Sequence, residues 1–80
     1  MKFMEKKWIS TVELLAYLKA HPDKEKECRL YLGNGLGSTH YWFWDSKTNM
    51  FMHSRDWDFE PYTESGVLKW YGEGKWKIEQ

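Results

Sequence analysis

The sequence contains one cysteine, carries no net charge and has no long apolar run. A single cysteine cannot form an intramolecular disulfide or a cysteine-based zinc site. A membrane-spanning helix needs about 18 or more consecutive apolar residues, and the N-terminal residues lack the apolar segment of a signal peptide. The sequence therefore predicts a soluble, cytoplasmic protein with no membrane partner.

Twelve basic and twelve acidic side chains balance over the whole chain, but they are not evenly distributed. Residues 31–65 carry two basic and five acidic side chains. Binding to a phosphate backbone requires a basic track, and stacking on single-stranded bases needs the same electrostatic support. Because the aromatic centre of the chain lies in this acidic segment, the sequence argues against a nucleic-acid partner.

Aromatic residues are abundant, with six Trp, five Tyr and four Phe among 80 residues. A chain of this length forms a single small domain, here residues 1–80, and buries only about 60–65% of its unfolded surface. Residues 40–44 read His-Tyr-Trp-Phe-Trp, which in a strand places large rings on both faces of a sheet. One helix covers only one of these faces, so we expect the other face to be an interface.

The clearest local signal is a helix start. Ser10 stands three residues before Glu13, the spacing of a capping box. Pro22 ends the helix, because the residue before a proline avoids the helical conformation. We predict a helix over about 11–20.

Alternation of apolar and polar residues predicts strands in the remainder of the chain. The expected strands cover residues 27–32, 39–45 and 50–55, with further strands near 57–62, 67–71 and 75–79. In the last hairpin, Trp70 and Trp76 are expected to form a cross-strand pair. The predicted fold is α+β, with one N-terminal helix (about 11–20) packed on a four- to five-stranded, mainly antiparallel sheet.

The loop at 46–49 determines how the central hairpin pairs. A four-residue loop places Trp44 opposite Phe51 and divides the hairpin into two faces. The first face is apolar and suits the underside of the helix; it carries Tyr41, Phe43, Met50 and Met52. The second face mixes aromatic and polar side chains, as interface anchors do, and is the predicted exposed binding surface. Its members are His40, Trp42, Trp44, Phe51, His53 and Arg55. A loop of odd length or a bulge would exchange the two faces.

No pattern in the sequence indicates a catalytic or metal site. His40 and His53 would be diagonal neighbours roughly 7–8 Å apart, but two histidines leave a tetrahedral metal site incomplete. The segment 56–60 alternates acids and rings like the start of an EF-hand loop, yet Pro61 occupies the position that needs glycine. Cys28 alternates with inward-facing residues and is expected in the core. We therefore predict a protein that is not an enzyme and has no metal or cofactor.

Three functions remain open at this point. The leading hypothesis is a small non-enzymatic protein-binding module, such as an inhibitor or accessory protein of phage or prophage type, with Trp42 and Trp44 as anchors. The first alternative is a small-ligand or nucleotide-sequestering protein that uses the same aromatic face. In outline, a helix followed by an aromatic antiparallel sheet resembles phage nucleotide-sequestering proteins, although no motif of theirs is present. The second alternative is a homo-oligomeric structural protein that buries this face between its copies.

Overall fold

A computed structural model describes residues 8–31, 37–56 and 58–79, which form six strands and two helices. In chain order the elements are β1 (Ile9–Ser10), α1 (Thr11–Ala20), β2 (Lys26–Tyr31), β3 (Ser38–Asp45), β4 (Met50–Ser54), β5 (Glu60–Tyr62), α2 (Glu64–Tyr71) and β6 (Lys75–Ile78). The α+β class and the N-terminal helix are confirmed, while the sheet has one strand more than the predicted upper limit. Residues 32 and 57, which belong to predicted strands, lie outside the described ranges.

The capping box sets the start of α1. The Ser10 hydroxyl accepts a hydrogen bond from the Glu13 backbone N–H at 3.1 Å, and the Glu13 carboxylate accepts one from the Ser10 N–H at 2.8 Å. The helix covers residues 11–20 as predicted. It buries Leu14, Leu15 and Leu18 against the sheet, which the 3- and 4-residue spacing of an amphipathic helix explains.

The prediction of a strand over 67–71 is wrong, because these residues belong to α2. Thr63 caps this helix by accepting a hydrogen bond from the Gly66 N–H at 3.1 Å. Val67 and Tyr71, one turn apart, pack against the core of the protein. The strand preference of valine, tryptophan and tyrosine is overridden here by the cap and by burial of this helical stripe.

The expected cross-strand pair of Trp70 and Trp76 is consequently absent. Trp70 lies on the outer side of α2 and is 69% exposed. Trp76 is fully buried in β6, where it lies opposite Ile9 on one side and Leu30 on the other. One aromatic residue of the predicted pair is thus a core residue and the other a surface residue.

The six strands form one antiparallel sheet in the order β1-β6-β2-β3-β4-β5. After β5 reaches one edge, α2 and the following turn bring the chain back, and β6 enters between β1 and β2. Helix α1 contacts β1, β3 and β6, while α2 contacts β4 and β5. Both helices contribute to a single core on one face of the sheet, which we call the inner face.

The register predicted for the β3–β4 hairpin is confirmed. Strand β3 ends at Asp45, β4 begins at Met50, and the Asn49 N–H donates to the Asp45 carbonyl at 2.8 Å across the four-residue turn. Asn49 adopts a φ of 58°, a left-handed conformation that asparagine tolerates. The resulting pairs are Trp44 with Phe51, Phe43 with Met52, and Trp42 with His53.

The division of the hairpin into two faces follows from this register, but the prediction of which face is exposed is wrong. Trp42 and Phe51 have no exposed surface, and His40 and His53 are only 1% and 5% exposed. Trp44 is half-buried against the same core. Of the six predicted surface residues, only Arg55, just beyond the end of β4, is exposed.

Two physical causes explain the exchange of faces. Helix α2 adds a second cover to the inner face, so a wider aromatic surface can be buried there. The polar atoms of His40 and His53 also hydrogen-bond each other, which removes most of the cost of burying them. The opposite face, with Tyr41 and Phe43, is left half-exposed.

Candidate functional site

Two histidines from neighbouring strands are in direct contact inside the protein. The Nδ1 atom of His40 and the Nε2 atom of His53 are 2.7 Å apart, and the centroids of the two rings are 4.9 Å apart. The remaining His40 nitrogen, Nε2, lies 2.9 Å from the Ser38 hydroxyl. Ser38, His40 and His53 therefore form a hydrogen-bonded chain.

This chain has two proton arrangements when both histidines are neutral. If His40 donates through Nδ1, the proton of His53 resides on its Nδ1 and the Ser38 hydroxyl donates to His40. If His53 donates through Nε2, its Nδ1 is a bare acceptor, and His40 donates to Ser38. The proton arrangement of the two histidines thus decides whether Nδ1 of His53 donates or accepts a hydrogen bond.

Burial keeps both histidines neutral. It lowers the pKa of His40 to about 4, with further lowering by the nearby His53 and Arg55. Burial also lowers the pKa of His53 to about 4, and the Arg55 charge adds to the effect. If both rings were imidazolium ions, two N–H donors would face each other at 2.7 Å, so the geometry disfavours the doubly charged pair.

Aromatic rings enclose the histidine pair. The Trp42 ring lies 4.2 Å from that of His53, and the Trp76 ring meets that of His40 edge-on at 5.2 Å. Trp76 is fixed in turn, because its indole N–H donates to the Thr11 hydroxyl at 2.8 Å and Thr11 donates to the Tyr71 carbonyl. The indole N–H of Trp42 is buried and has no hydrogen-bond partner among the described residues.

An open cleft of about 410 Å³ lies beside His53, between the end of β4, strand β5 and helix α2. We call it the histidine cleft. Its aromatic wall consists of Tyr62 and Tyr71, whose rings lie 5.6 and 5.5 Å from that of His53. Burial raises the pKa of Tyr71, so its hydroxyl stays protonated at neutral pH. The charged lining residues are Arg55, Asp56, Asp58 and Glu60.

The outer face of the sheet is the second candidate. It carries aromatic and methionine side chains at its centre, and neither helix packs on it. These central residues are Tyr41, Phe43, Met50, Met52 and Phe59, and all are half-exposed. The Phe59 ring packs edge-on against that of Phe43 at 5.2 Å, which extends the aromatic strip beyond β4.

One end of the outer face is acidic and the other is basic. A groove of about 330 Å³ near the end of β4 places the carboxylates of Glu25 and Asp56 beside the rings of Tyr41 and Phe59. At the far side of the sheet, the Lys77 ammonium lies 4.7 Å from the centre of the Trp8 ring. The outer face therefore has an apolar centre with charged margins.

Two residues of the histidine cleft were identified from the sequence, but as members of a predicted exposed binding surface. The sequence placed His53 and Arg55 on one surface, and both line the cleft. Ser38 could have been added, because it precedes His40 by two residues and so shares its face. Tyr71 could not be found, since its segment reads as a strand.

The part of the chain that the structure describes holds no group of three or more His, Cys, Asp or Glu residues suited to a metal ion. Within the same ranges, neither helix has the length and apolar character needed to cross a membrane. No protein-family model, curated protein or solved structure matches this chain.

Proposed function

We propose that this protein is a small non-enzymatic protein-binding module that docks through its outer face. The observation that supports this most directly is the aromatic and methionine strip, left half-exposed on a sheet face that no described element covers. Contiguous apolar patches of this kind are uncommon on monomeric proteins and mark interaction surfaces. Methionines at its centre suit such a role, because their flexible side chains adapt to a partner.

The charge of the outer face indicates what kind of protein partner it fits. Glu25 and Asp56 flank Tyr41 and Phe59 in the groove, and Glu27 lies opposite Tyr41 on the neighbouring strand. An arginine suits this arrangement, since its planar guanidinium pairs with carboxylates and stacks on aromatic rings. The proposed partner is a protein that presents an arginine next to apolar side chains.

An inhibitor or accessory role of phage type and a cytoplasmic location remain part of this proposal. The small size of the domain supports the inhibitor or accessory role, and the state of its cysteine supports the location. Cys28 is buried in the core, and burial raises the pKa of its thiol to about 12. A buried thiol of this kind is unreactive, and an unpaired cysteine is compatible with a reducing compartment such as the cytoplasm.

The proposal is tested by affinity capture from the native host with purified wild type and two matched aromatic variants. Phe43→Ala removes a ring from the centre of the outer face, whereas Trp70→Ala removes an exposed ring from α2. We expect Phe43→Ala to weaken partner binding by about 2 kcal/mol or more, as at an interface hot spot. Trp70→Ala should leave binding unchanged, with the fold of both variants checked by circular dichroism.

The acidic groove is tested separately with Glu25→Gln in a titration against the captured partner. We expect weaker binding and a smaller dependence on salt than for wild type, because one screened charge contact is lost. Binding that is weakened by Trp70→Ala and insensitive to Phe43→Ala would contradict the proposal. A stable dimer that Phe43→Ala converts to a monomer, measured by light scattering, would replace the partner by a second copy of the chain.

A further inference from the structure

We propose that the histidine cleft binds a small organic cation carrying a protonated amine or guanidinium group. This site lies on the inner side of the sheet, beside α2, and shares Asp56 with the groove of the outer face. Four features of the cleft favour such a ligand: its charge, its aromatic wall, a hydrogen-bond acceptor on His53 and its size.

The charged lining favours a positive ligand. Three carboxylates, those of Asp56, Asp58 and Glu60, line the cleft together with the single guanidinium of Arg55. Carboxylates concentrated in a concave site act together, because the low-dielectric walls focus their field. An anion would gain from Arg55 alone and would be repelled by the other three groups.

The aromatic wall offers a second attraction to a cation. Tyr62 and Tyr71 line the cleft, with the buried Trp42 ring behind them at 6.1 and 5.9 Å. A cation within about 6 Å of a tyrosine ring is attracted by the ring's negative face. The methylene groups next to an amine can pack on the same rings, so an organic cation is favoured over a bare metal ion.

The hydrogen-bond acceptor is the Nδ1 atom of His53. This residue is only 5% exposed, yet it lines the cleft. Its Nε2 atom is used by His40, and its Nδ1 atom makes no hydrogen bond with any described residue. An N–H group of a ligand would satisfy Nδ1 by selecting the arrangement in which His53 donates to His40 and His40 donates to Ser38.

The volume sets the scale of the ligand. A cleft of about 410 Å³ lies in the range of about 300–1,000 Å³ that small-molecule sites occupy. The lining combines the rings of His53, Tyr62 and Tyr71 with carboxylates and one guanidinium. A ligand with a short alkyl chain and at least one cationic group matches this combination.

The test is an NMR titration of the ¹⁵N-labelled protein with three probes: agmatine, butylammonium and pentanoate. Agmatine and butylammonium should give saturable shifts of the backbone amides around His53, Glu60 and Tyr71. Pentanoate, a similar chain with a negative charge, should give none. The same titration of Phe43→Ala should match wild type, which separates this site from the outer face.

Charge variants give the sharpest comparison. Glu60→Gln should weaken agmatine binding by about fivefold or more, the effect of losing one charge-assisted contact. Arg55→Gln should tighten binding by about threefold, because it removes the opposing charge. Glu73→Gln carries the same charge change as Glu60→Gln outside the cleft and should leave the affinity as in wild type.

The proposal is overturned if neither cation shows saturable shifts up to about 10 mM, where binding would contribute less than about 3 kcal/mol. It is equally overturned if pentanoate binds as tightly as butylammonium. A third contrary result is that Glu60→Gln and Glu73→Gln weaken agmatine binding to the same extent, because the effect would then be one of overall charge.

Discussion

The two faces of the β3–β4 hairpin contain similar residues but differ in how far these residues are buried. On the inner face, Trp42 and Phe51 are fully buried, and the rings of His40 and His53 share a hydrogen bond. On the outer face, Phe43 and Met52 form a cross-strand pair but remain only partly buried. The comparison shows that polar groups within an aromatic cluster do not mark it as a surface. What matters is whether these groups find partners and whether a helix covers them.

Of the changes considered, loss of the Trp42 side chain is expected to destabilise the protein most. Trp42→Ala removes a fully buried indole and should lower the free energy of unfolding by about 3–5 kcal/mol. Phe43→Ala, the neighbouring residue on the outer face, should cost less than about 1.5 kcal/mol, because its ring is already partly hydrated. Urea denaturation followed by circular dichroism measures both values. Equal losses in the two variants would mean that the two faces are buried alike.

A second prediction concerns pH and again distinguishes the faces. The pKa values of His40 and His53 are lowered from 6.5 to about 4 in the folded protein. Between these values the unfolded chain takes up protons that the folded protein cannot, so the stability present above pH 6.5 is lost as the pH falls. The expected slope is about 1.4 kcal/mol per pH unit for each histidine.

Chemical denaturation at a series of pH values between 7 and 4 measures this slope. The carboxylates also titrate toward the lower end of that range, so the interval just below pH 6.5 is the informative one. NMR titration of the histidine ring protons provides the assignment. A constant stability through this interval, or rings of His40 and His53 that titrate near pH 6.5, would indicate that the pair is hydrated.

The smallest effect tests the helix that covers the inner face. Thr63→Ala removes the N-cap of α2 and should lower the free energy of unfolding by about 1 kcal/mol. Thr63→Ser, which keeps the hydroxyl, should be close to wild type. If residues 67–71 formed a strand, neither change would matter beyond a few tenths of a kcal/mol.

The sequence predicted those features that local interactions determine. The capping box of Ser10 and Glu13 gave the start of α1, and the four-residue turn at 46–49 gave the register of the hairpin. Both signals lie within a few residues of the structure they produce. The α+β class followed from them together with the alternating pattern of the strands.

The exposed face could not be predicted, because it depends on contacts between distant parts of the chain. His40 and Trp42 become core residues only when the rings of Tyr71 and Trp76 pack on them from beyond residue 63. Val67 and Tyr71 belong to residue types that prefer strands, so the local sequence predicted a strand where the structure has α2. The hydrogen bond between His40 and His53 also depends on ring orientation, which residue spacing does not determine.

The position of β6 has a consequence for how the protein folds. Strand β6 is the last of the described strands in sequence, yet it lies between β1 and β2 and supplies the hydrogen-bonding partner of each. During synthesis, β2 to β5 can pair as soon as they emerge, since each contacts its neighbour in sequence. Strand β1 cannot pair until residues 75–78 have been synthesised, and docking of β6 then buries Trp76 in the core. Because β1 and β6 pair across a long separation in sequence, we expect this docking to be the slow step of folding.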